Sequence, residues 1–280
     1  MEITSVLVEE LKKIVGGQNV MTDDESLKDY GHDQTEDLQF FPSVVVKPGN
    51  ADEIAAIMKI ANRELIPVTP RGAGTGLSGG ALPVHGGILL STERLNKIIQ
   101  IDDRNLQATV EPGVINQIFR DAVEAIGLFY PPDPASRGSC FLGGNLAENA
   151  GGPKAVKYGV TKDYILNCEV VLPTGDIIWT GANVLKNSTG YNLTQLMVGS
   201  EGTLGIVTKI VVRLIPLPKH NLLMLVPFFS PEKACEAVSA VFRAGYTPSA
   251  MEFMERDAID FVMQFVDVKK PVIINHQIHY

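Results

Sequence analysis

The sequence has few cysteines, and their positions exclude several kinds of site. Cys140, Cys168 and Cys235 are odd in number and far apart, so they match neither a disulfide framework nor a zinc-binding pattern. Each thiol is predicted to be a small core residue. Free cysteines are typical of a reducing compartment, so we expect a cytoplasmic protein.

Clusters of basic residues and long apolar runs are also missing. The chain carries 24 Lys and Arg against 32 Asp and Glu, a net charge of −8. Nucleic acids and anionic membranes select clustered basic residues, so neither is expected as a partner. No apolar run reaches the roughly 18 residues of a membrane-spanning helix. The N-terminus, with Glu2, Glu9 and Glu10, is unlike a signal peptide.

The length of 280 residues, 45% of them hydrophobic, predicts two domains, since a domain averages roughly 150 residues. Pro216 and Pro218 follow a long β-branched stretch and mark the boundary, which gives domains 1–218 and 219–280. The second domain is predicted to contain strands at 222–228, 249–254 and 271–278 and helices at 231–243 and 256–266. Ser230 is expected to cap the first of these helices, with Pro231 at its first position. A sheet interrupted in its last strand leaves an unpaired edge, so we expect the chain to be a fragment.

Hydrophobic spacing predicts the elements of the first domain. Helices are expected at 4–15, after Asn50, and at 115–125. Strands are expected at 43–46, 65–68, 88–91, 98–102, 106–111, 164–173, 177–180 and 205–215. Thr174-Gly175-Asp176 predicts a hairpin between strands 164–173 and 177–180. The helix after Asn50 lies between two predicted strands, which is the order of a βαβ unit.

A glycine-rich loop after strand 65–68 is the most informative feature of the chain. It reads Pro-Arg-Gly-Ala-Gly-Thr-Gly-Leu-Ser-Gly-Gly over residues 70–80. Glycine permits positive φ angles, which let successive N–H groups converge on one point and bind an anion such as phosphate. Arg71, Thr75 and Ser78 add polar side chains, which favours a phosphate site over a plain surface turn.

The loop also matches Gly-x-Gly-x-x-Gly at Gly74, Gly76 and Gly79, the fingerprint of a Rossmann dinucleotide site. That site needs a helix that starts inside the motif and binds the pyrophosphate at its N-terminus. Here Pro83 and the pair 86–87 follow, and no helical period precedes the next strand. The sequence therefore predicts a phosphate-binding loop made of turn backbone alone, and a nicotinamide dehydrogenase is the least favoured function.

Two more glycine clusters follow, at 139–152 and 199–206. The small residues of 139–152 would let a flat ligand or a phosphate approach the backbone. They would equally suit close packing of a helix on a strand. Both interpretations remain open at this point.

Five motifs together resemble a known family. They are Pro-Arg-Gly-Ala-Gly-Thr-Gly (70–76), Pro-Pro-Asp-Pro-Ala-Ser (131–136), Gly-Gly-Asn (143–145), Lys-Tyr-Gly (157–159) and Gly-Ser-Glu-Gly-Thr-Leu-Gly-Ile (199–206). The set resembles the FAD-linked 2-hydroxy-acid oxidoreductases: the glycolate oxidase FAD subunit, D-lactate dehydrogenase and D-2-hydroxyglutarate dehydrogenase. The resemblance implies an α+β fold, with a two-subdomain FAD-binding fold of the vanillyl-alcohol oxidase (PCMH) type followed by an incomplete ferredoxin-like α+β cap domain.

The resemblance also implies which residues contact FAD. The implied FAD-binding residues are Pro70, Arg71, Gly72, Ala73, Gly74, Thr75, Gly76, Ser78, Pro132, Asp133, Ser139, Gly143, Gly144, Asn149, Gly159, Val160, Glu201, Gly205 and Ile206. The neighbouring Lys154, Lys157 and Tyr158 face either the flavin edge or solvent. Covalent-flavin relatives carry a histidine in the stretch corresponding to 71–74, and this sequence has none there, so non-covalent FAD is expected.

By resemblance, the activity is oxidation of a small D-2-hydroxy acid to the 2-oxo acid. A hydride would pass to flavin N5 while a base takes the hydroxyl proton. The family's base, its metal-binding histidines and its carboxylate-binding basic residues lie in a C-terminal segment, so catalytic residues are expected beyond Tyr280 and the fragment is expected to be inactive alone. His276 and His279 do not replace them, because residues three apart on a strand point to opposite faces.

Two alternatives remain. An enzyme resembling UDP-N-acetylenolpyruvoylglucosamine reductase would share the FAD fold, but motifs 131–136 and 199–206 match the hydroxy-acid group better. The chain could instead be an electron-transferring FAD subunit of a complex, with an iron–sulfur or other electron-acceptor protein as its partner.

Overall fold

The computed structural model describes residues 3–266. Its helices are α1 (Ser5–Val15), α2 (Asp24–Asp29), α3 (Ala51–Glu64), α4 (Asn116–Glu124), α5 (Leu142–Ala147), α6 (Ala155–Tyr158), α7 (Leu193–Met197), α8 (Pro231–Arg243) and α9 (Arg256–Val262), with short 3₁₀ turns at Gly17–Asn19 and Thr161–Asp163. Its strands are β1 (Val20–Met21), β2 (Val44–Val46), β3 (Val68–Arg71), β4 (Ile88–Ser91), β5 (Ile98–Asp102), β6 (Gln107–Val110), β7 (Leu128–Phe129), β8 (Ile165–Val171), β9 (Ile177–Trp179), β10 (Ile206–Arg213) and β11 (Ile215–Pro216).

The first sheet has the strand order β1-β2-β4-β3. Strands β2 and β3 both run parallel to β4, which lies between them, whereas β1 is antiparallel to β2. Helix α3 connects β2 to β3 and buries Ile54, Ile57 and Ala61 against the sheet. Its N-cap is Asn50, whose side chain accepts a hydrogen bond from the N–H of Glu53 at 2.9 Å. The predicted βαβ unit is confirmed.

The strand predicted at 65–68 begins later than expected, at Val68. Leu65 adopts a left-handed conformation with φ +54° and ends α3, and its N–H donates to the carbonyls of Ala61 and Asn62. The chain needs this helix-terminating turn before it can become extended, so the strand is displaced toward the glycine-rich loop.

The second sheet is antiparallel, with the order β5-β6-β10-β8-β9. The predicted hairpin joins β8 to β9 through a turn in which Gly175 has φ +83° and the N–H of Leu172 donates to the Asp176 carbonyl at 2.9 Å. Phe119 of α4 and Tyr130 lie fully buried in the core of this sheet, with ring centroids 5.2 Å apart. This core packs α4 against the second sheet.

The two sheets meet along one shared apolar layer. Val171 of β8 and Ile206 of β10 belong to the second sheet but lie in the buried cluster of the first, together with Ile54 and Ile57. At the β8–β9 turn, Gly175 has no side chain to separate it from α3, where Lys59 lies. The sheets therefore adjoin closely, and their junction positions the loops described below.

The C-terminal part of the described chain is helical. Helix α8 is capped by Ser230, whose hydroxyl accepts a hydrogen bond from the N–H of Lys233 at 3.4 Å, and has Pro231 at its first position, as predicted. Helix α9 is shorter than the predicted helix 256–266. No helix within residues 3–266 is long and apolar enough to cross a membrane.

Two predicted strands of this part, 222–228 and 249–254, are wrong, because both stretches are irregular. A strand is stable only when a neighbour pairs with its backbone groups, and no strand within residues 3–266 lies beside either stretch. Leu222 and Leu223 are instead 89% and 99% exposed. The strand predicted at 271–278, with His276 and His279, lies outside the described residues.

Gly87, which directly precedes β4, allows a test of this packing. Gly87 has φ +75°, and a Cβ there would overlap the Pro67 carbonyl oxygen, whereas Gly127 has φ +77° with no atom within 4 Å. We expect Gly127→Ala to cost about 1–2 kcal/mol through backbone strain alone. Gly87→Ala should lower the thermal unfolding midpoint further, because it adds a clash beside β3. Equal losses in the two variants would contradict this account of the sheet entry.

Candidate functional site

The glycine-rich loop, residues 72–80, leaves the first sheet at the end of β3. The fully described stretch from there to β4 contains no helix, so the exclusion of a Rossmann site is confirmed. Among residues 3–266, none accepts a hydrogen bond from the N–H groups of residues 72–76. Five successive backbone donors are therefore available to a ligand.

Arg71 supports this loop from beneath. Gly74 has φ +68°, and a Cβ there would overlap the Arg71 guanidinium, so a larger residue would be strained and would displace that side chain. Arg71 is 8% exposed and lies over the Tyr30 ring, 5.7 Å from its centroid. Burial lowers the pKa of Arg71, and the negative charge of Asp33 opposes that change. Its Nη1 has no hydrogen-bond partner among the described residues.

Helix α5 forms a second wall of the site, and it shows that both interpretations of cluster 139–152 apply. Gly143 serves packing, because a Cβ there would lie 2.5 Å from the Pro112 side chain. Gly144 has no atom within 4 Å of such a Cβ, and its N–H donates to no described residue. The Nδ2 of Asn145, a residue 4% exposed, also lacks a partner in the described chain. The cluster therefore combines close packing with open donors.

The third wall is the loop before β10. The N–H of Gly199 donates to the Leu146 carbonyl and that of Glu201 to the Ala147 carbonyl, both at 3.0 Å, which ties the loop to the end of α5. Gly202 has φ +73° and lies against the Pro70 ring. These contacts bring all three glycine clusters to the junction of the two sheets.

The three walls enclose a cleft of about 590 Å³. The predicted residues that line it are Pro70, Arg71, Gly72, Ala73, Gly74, Thr75, Gly76, Ser78, Gly143, Gly144, Glu201, Gly205 and Ile206. Backbone and side-chain donors lie along its walls, and the lining is otherwise mostly small or apolar. Such a cleft suits an elongated ligand with an anionic centre.

The carboxylates of Glu148 and Glu201 lie together in the cleft, beside Ser78 and Gly80. Ser78 Oγ lies 3.5 Å from Glu148 Oε2, and a Cβ on Gly80 would meet the carboxylates of Glu148 and Glu201 at 3.2 and 3.4 Å. Partial burial, and after it the charge of Glu201, raises the pKa of Glu148. Carboxylates accept hydrogen bonds, so this region suits the hydroxyl groups of a ligand better than its phosphates.

Asp133 is not among the cleft-lining residues, and neither are Pro132 and Ser139. The Asp133 carboxylate is buried, with Lys154 Nζ at 3.2 Å and Arg120 Nη1 at 3.8 Å. Both cations also lie over the Phe129 ring. Lys154 is thus engaged with Asp133, a contact that neither of the two predicted placements included.

The predicted residues Asn149, Gly159 and Val160 also lie outside the cleft lining. Asn149 Oδ1 accepts the N–H of Lys162 at 2.9 Å, and the N–H of Val160 donates to Asp163 at 2.8 Å. A Cβ on Gly159 would overlap the Asp163 carboxylate. In this structure the polar groups of these residues stabilise the turns behind α5.

Sequence reasoning missed several residues of the cleft wall, among them Asp33, Pro112, Asn145 and Glu148. Asn145 belongs to the Gly-Gly-Asn motif, so a signal was present. Asp33 lies far from the motifs in sequence and carries no local signal. No group of three His, Cys, Asp or Glu side chains within residues 3–266 is arranged to hold a metal ion.

Comparison with known proteins identifies the ligand class. The family model described as FAD binding domain matches residues 42–181, half of the chain. This chain belongs to the FAD-binding domain family. A second model, described as the C-terminal domain of FAD linked oxidases, matches residues 217–278.

Three relatives of this FAD-binding chain confirm the resemblance to the 2-hydroxy-acid oxidoreductases. Glycolate oxidase subunit GlcD of Bacillus subtilis (strain 168) is 41% identical, covering 96% of this chain and 57% of that protein. D-lactate dehydrogenase of Anaerostipes hadrus is 42% identical, covering 92% and 54%. D-2-hydroxyglutarate dehydrogenase of Xanthomonas citri pv. viticola is 37% identical, covering 90% and 53%. The chain spans about half the length of these relatives.

Solved structures confirm the PCMH-type fold. An alkyldihydroxyacetonephosphate synthase superposes with a TM-score of 0.77 at 22% identity, covering 89% of this chain and 47% of that one. A p-cresol methylhydroxylase superposes with a TM-score of 0.72 at 26% identity, covering 84% and 47%. These likenesses establish the fold.

The cleft fits FAD on its own chemistry. The free N–H groups of residues 72–76 and of Gly144, with Arg71 Nη1, are donors suited to a diphosphate. Glu148 and Glu201 are acceptors suited to hydroxyl groups of a dinucleotide. The residues of the cleft can therefore hold FAD, the cofactor of this family.

Gly144 allows a test of the cofactor position. Gly144→Ala places a methyl group in the cleft, so we expect weaker FAD uptake. Its stability should be unchanged or higher, because alanine is favoured over glycine in a helix by up to about 1 kcal/mol. Gly143→Ala is the matched control and should lower the thermal midpoint instead, because its methyl would clash with Pro112. FAD titration and thermal unfolding report the two effects, and wild-type affinity in Gly144→Ala would contradict a cofactor against α5.

The raised pKa of Glu148 predicts a pH-dependent stability. The folded state favours the protonated carboxyl, so its contribution is full below the ordinary glutamate pKa and is lost as pH rises above it. Glu148→Gln should therefore raise the unfolding midpoint of the cofactor-free chain at about pH 8 and match the wild type at about pH 4. The exposed Glu36→Gln is the control. A gap that is constant across this pH range would argue against burial of a charged Glu148 as the cause.

Proposed function

We propose that this chain is the FAD-binding part of a dehydrogenase or oxidase that converts a small D-2-hydroxy acid to the 2-oxo acid. Glycolate, D-lactate and D-2-hydroxyglutarate are the candidate substrates, because the relatives are named for them. One observation carries the proposal: residues 72–76, whose N–H groups are unpaired in the described chain, line a cleft at the junction of the two sheets.

The proposed role of the glycine-rich loop is to bind the FAD diphosphate. A diphosphate carries two negative charges, and the protein itself has a net charge of −8, so attraction must be supplied locally. The loop amides supply it, and Thr75 adds a hydroxyl donor at the same wall, whereas the Ser78 hydroxyl lies against Glu148. Non-covalent binding is proposed, because residues 71–74 contain no histidine.

The remaining cleft residues would orient the flavin and the adenine. Gly144 and Gly205 line different walls of the cleft, and Ile206 contributes an apolar surface. When bound, FAD supplies a hydride acceptor at flavin N5. The chain's own residues bind the cofactor, exclude water from its diphosphate and fix its orientation.

We propose that domain 1–218 holds FAD and that 219–280 begins a substrate-binding cap. The match of the C-terminal oxidase model to residues 217–278 supports such a division. We place the catalytic base, and the groups that bind the substrate carboxylate, C-terminal of Tyr280. The length of the relatives, which are nearly twice as long as this chain, supports this placement.

A second candidate is an electron-transferring FAD subunit of a larger assembly. The relative from Bacillus subtilis is named a subunit, which favours this alternative specifically. An iron–sulfur or other electron-acceptor protein would then be the partner. We also propose a reducing, cytoplasmic compartment, because Cys140 and Cys168 are buried free thiols and Cys235 is an exposed one.

Flavin uptake and turnover test the proposal separately. We expect the purified chain, mixed with FAD, to retain flavin through gel filtration and to release it on acid precipitation. It should not reduce a dye with glycolate or D-lactate, since the base lies elsewhere. A colourless protein after FAD treatment would overturn the cofactor assignment, and robust turnover would overturn the placement of the base. Anaerobic titration of a full-length version with each of the three acids would identify the substrate.

A further inference from the structure

Residues 30–38, which we call the strap, cross the outside of the glycine-rich loop. The N–H of Gln34 donates to the Gly76 carbonyl at 3.2 Å. Leu38 lies beside Gly79, with its Cδ1 3.6 Å from the position of a Cβ there. The strap precedes residues 42–181, which the FAD-binding family model matches. It therefore packs against the glycine-rich loop from a segment that the family match does not include.

Asp33 is the strap residue that reaches the cleft. Its side chain is buried, with 7% of the residue exposed, and it lines the cleft wall. Oδ1 accepts the N–H of Thr35 at 2.8 Å, which fixes the orientation of the carboxylate. Oδ2 is buried and has no hydrogen-bond partner among residues 3–266.

The unpartnered oxygen has a specific neighbour. Arg71 also lines the cleft, and Asp33 is the largest of the charges that favour its protonated form. Within the described chain the two groups form no ion pair at 4.0 Å or less, although both line the cleft. Buried polar atoms are almost always paired in native proteins, so two such atoms on cleft-lining residues point to a ligand that contacts them.

The chemistry of Asp33 selects the part of the ligand. A carboxylate repels phosphate oxygens and accepts hydrogen bonds, so Oδ2 requires a donor. In FAD the donors nearest the diphosphate are hydroxyls, on the adenosine ribose at one side and on the ribityl chain at the other. Arg71 and the loop amides of 72–76 are suited to the diphosphate itself.

We propose that Asp33 is a cofactor-binding residue, whose Oδ2 accepts a hydrogen bond from a sugar or ribityl hydroxyl next to the FAD diphosphate. This inference rests on the proposed function and adds the strap to it. The Thr35 amide fixes Oδ1, and the hydrogen bond from Gln34 to Gly76 joins the strap to the glycine-rich loop. The strap and the loop therefore form one preorganised site. A strap residue thus contributes to affinity, although the strap lies outside the matched domain.

Asp33→Asn tests this directly, because asparagine can keep Oδ1 on the Thr35 amide while replacing Oδ2 with a donor. We expect FAD affinity to fall about tenfold to a hundredfold, the range for a hydrogen bond to a charged group. Asp37→Asn removes the same charge from the same strap, at an exposed residue whose φ of +59° asparagine tolerates. It should bind FAD as the wild type does.

The sign of the change separates this role from simple electrostatics. If Asp33 only repelled the diphosphate, its removal would strengthen binding, so unchanged or tighter FAD binding by Asp33→Asn overturns the inference. Titration with ADP and with FMN then locates the contact: a greater loss for ADP indicates the ribose, and a greater loss for FMN the ribityl chain. If Asp33→Asn binds both ADP and FMN as tightly as the wild type does, the inference is also overturned.

Hydrogen exchange of the wild-type chain supplies a measurement that does not depend on the folding of a variant. FAD should slow amide exchange in residues 30–38, and unchanged exchange there on a flavin-loaded chain overturns the inference while leaving the proposed function intact. A wild-type chain that takes up no FAD overturns both. The two failures are therefore distinguishable.

Discussion

The backbone of residues 72–76 is the constraint on which the rest of the structure depends. A chain that crossed from β3 to β4 through a helix would pair its amides internally, whereas this one leaves them unpaired. Residues 72–76 are half-buried and donate to no described residue, so contacts with the surroundings are needed to hold the loop in shape. Arg71 beneath Gly74, Gln34 at Gly76 and Gly202 against Pro70 provide them.

Each of the two sheets carries a different part of the cleft wall. Parallel strands of the first sheet end together and deliver the glycine-rich loop, while the antiparallel second sheet carries α5 and the loop before β10. Val171 and Ile206 join the two cores, so the width of the cleft is set by buried packing. Donors lie in the loop and α5, and Glu148 and Glu201 lie together elsewhere on the wall. The arrangement attracts an anion although the chain as a whole is negative.

Local signals in the sequence predicted most elements of the first domain. Asn50 and Ser230 cap helices where their side chains predicted them, and the Thr174-Gly175-Asp176 turn forms the hairpin. The failures have physical causes. Leu65 ends α3 in a left-handed conformation that propensity does not reveal, and the apolar stretch 222–228 has no described strand to pair with. Strand formation depends on a partner, which a single stretch of sequence does not specify.

The sequence by itself determined the kind of site: glycines that free backbone donors, the absence of a helix after them, and the family that carries this set of motifs. Only the tertiary structure decided which of those residues meet. It brought 70–76, Gly144 and Glu201 to one cleft, placed the Asp133 carboxylate against Lys154 and Arg120, and added Asp33 from a distant segment. The reason is that conformational freedom is a property of each residue, whereas convergence depends on how two cores pack together.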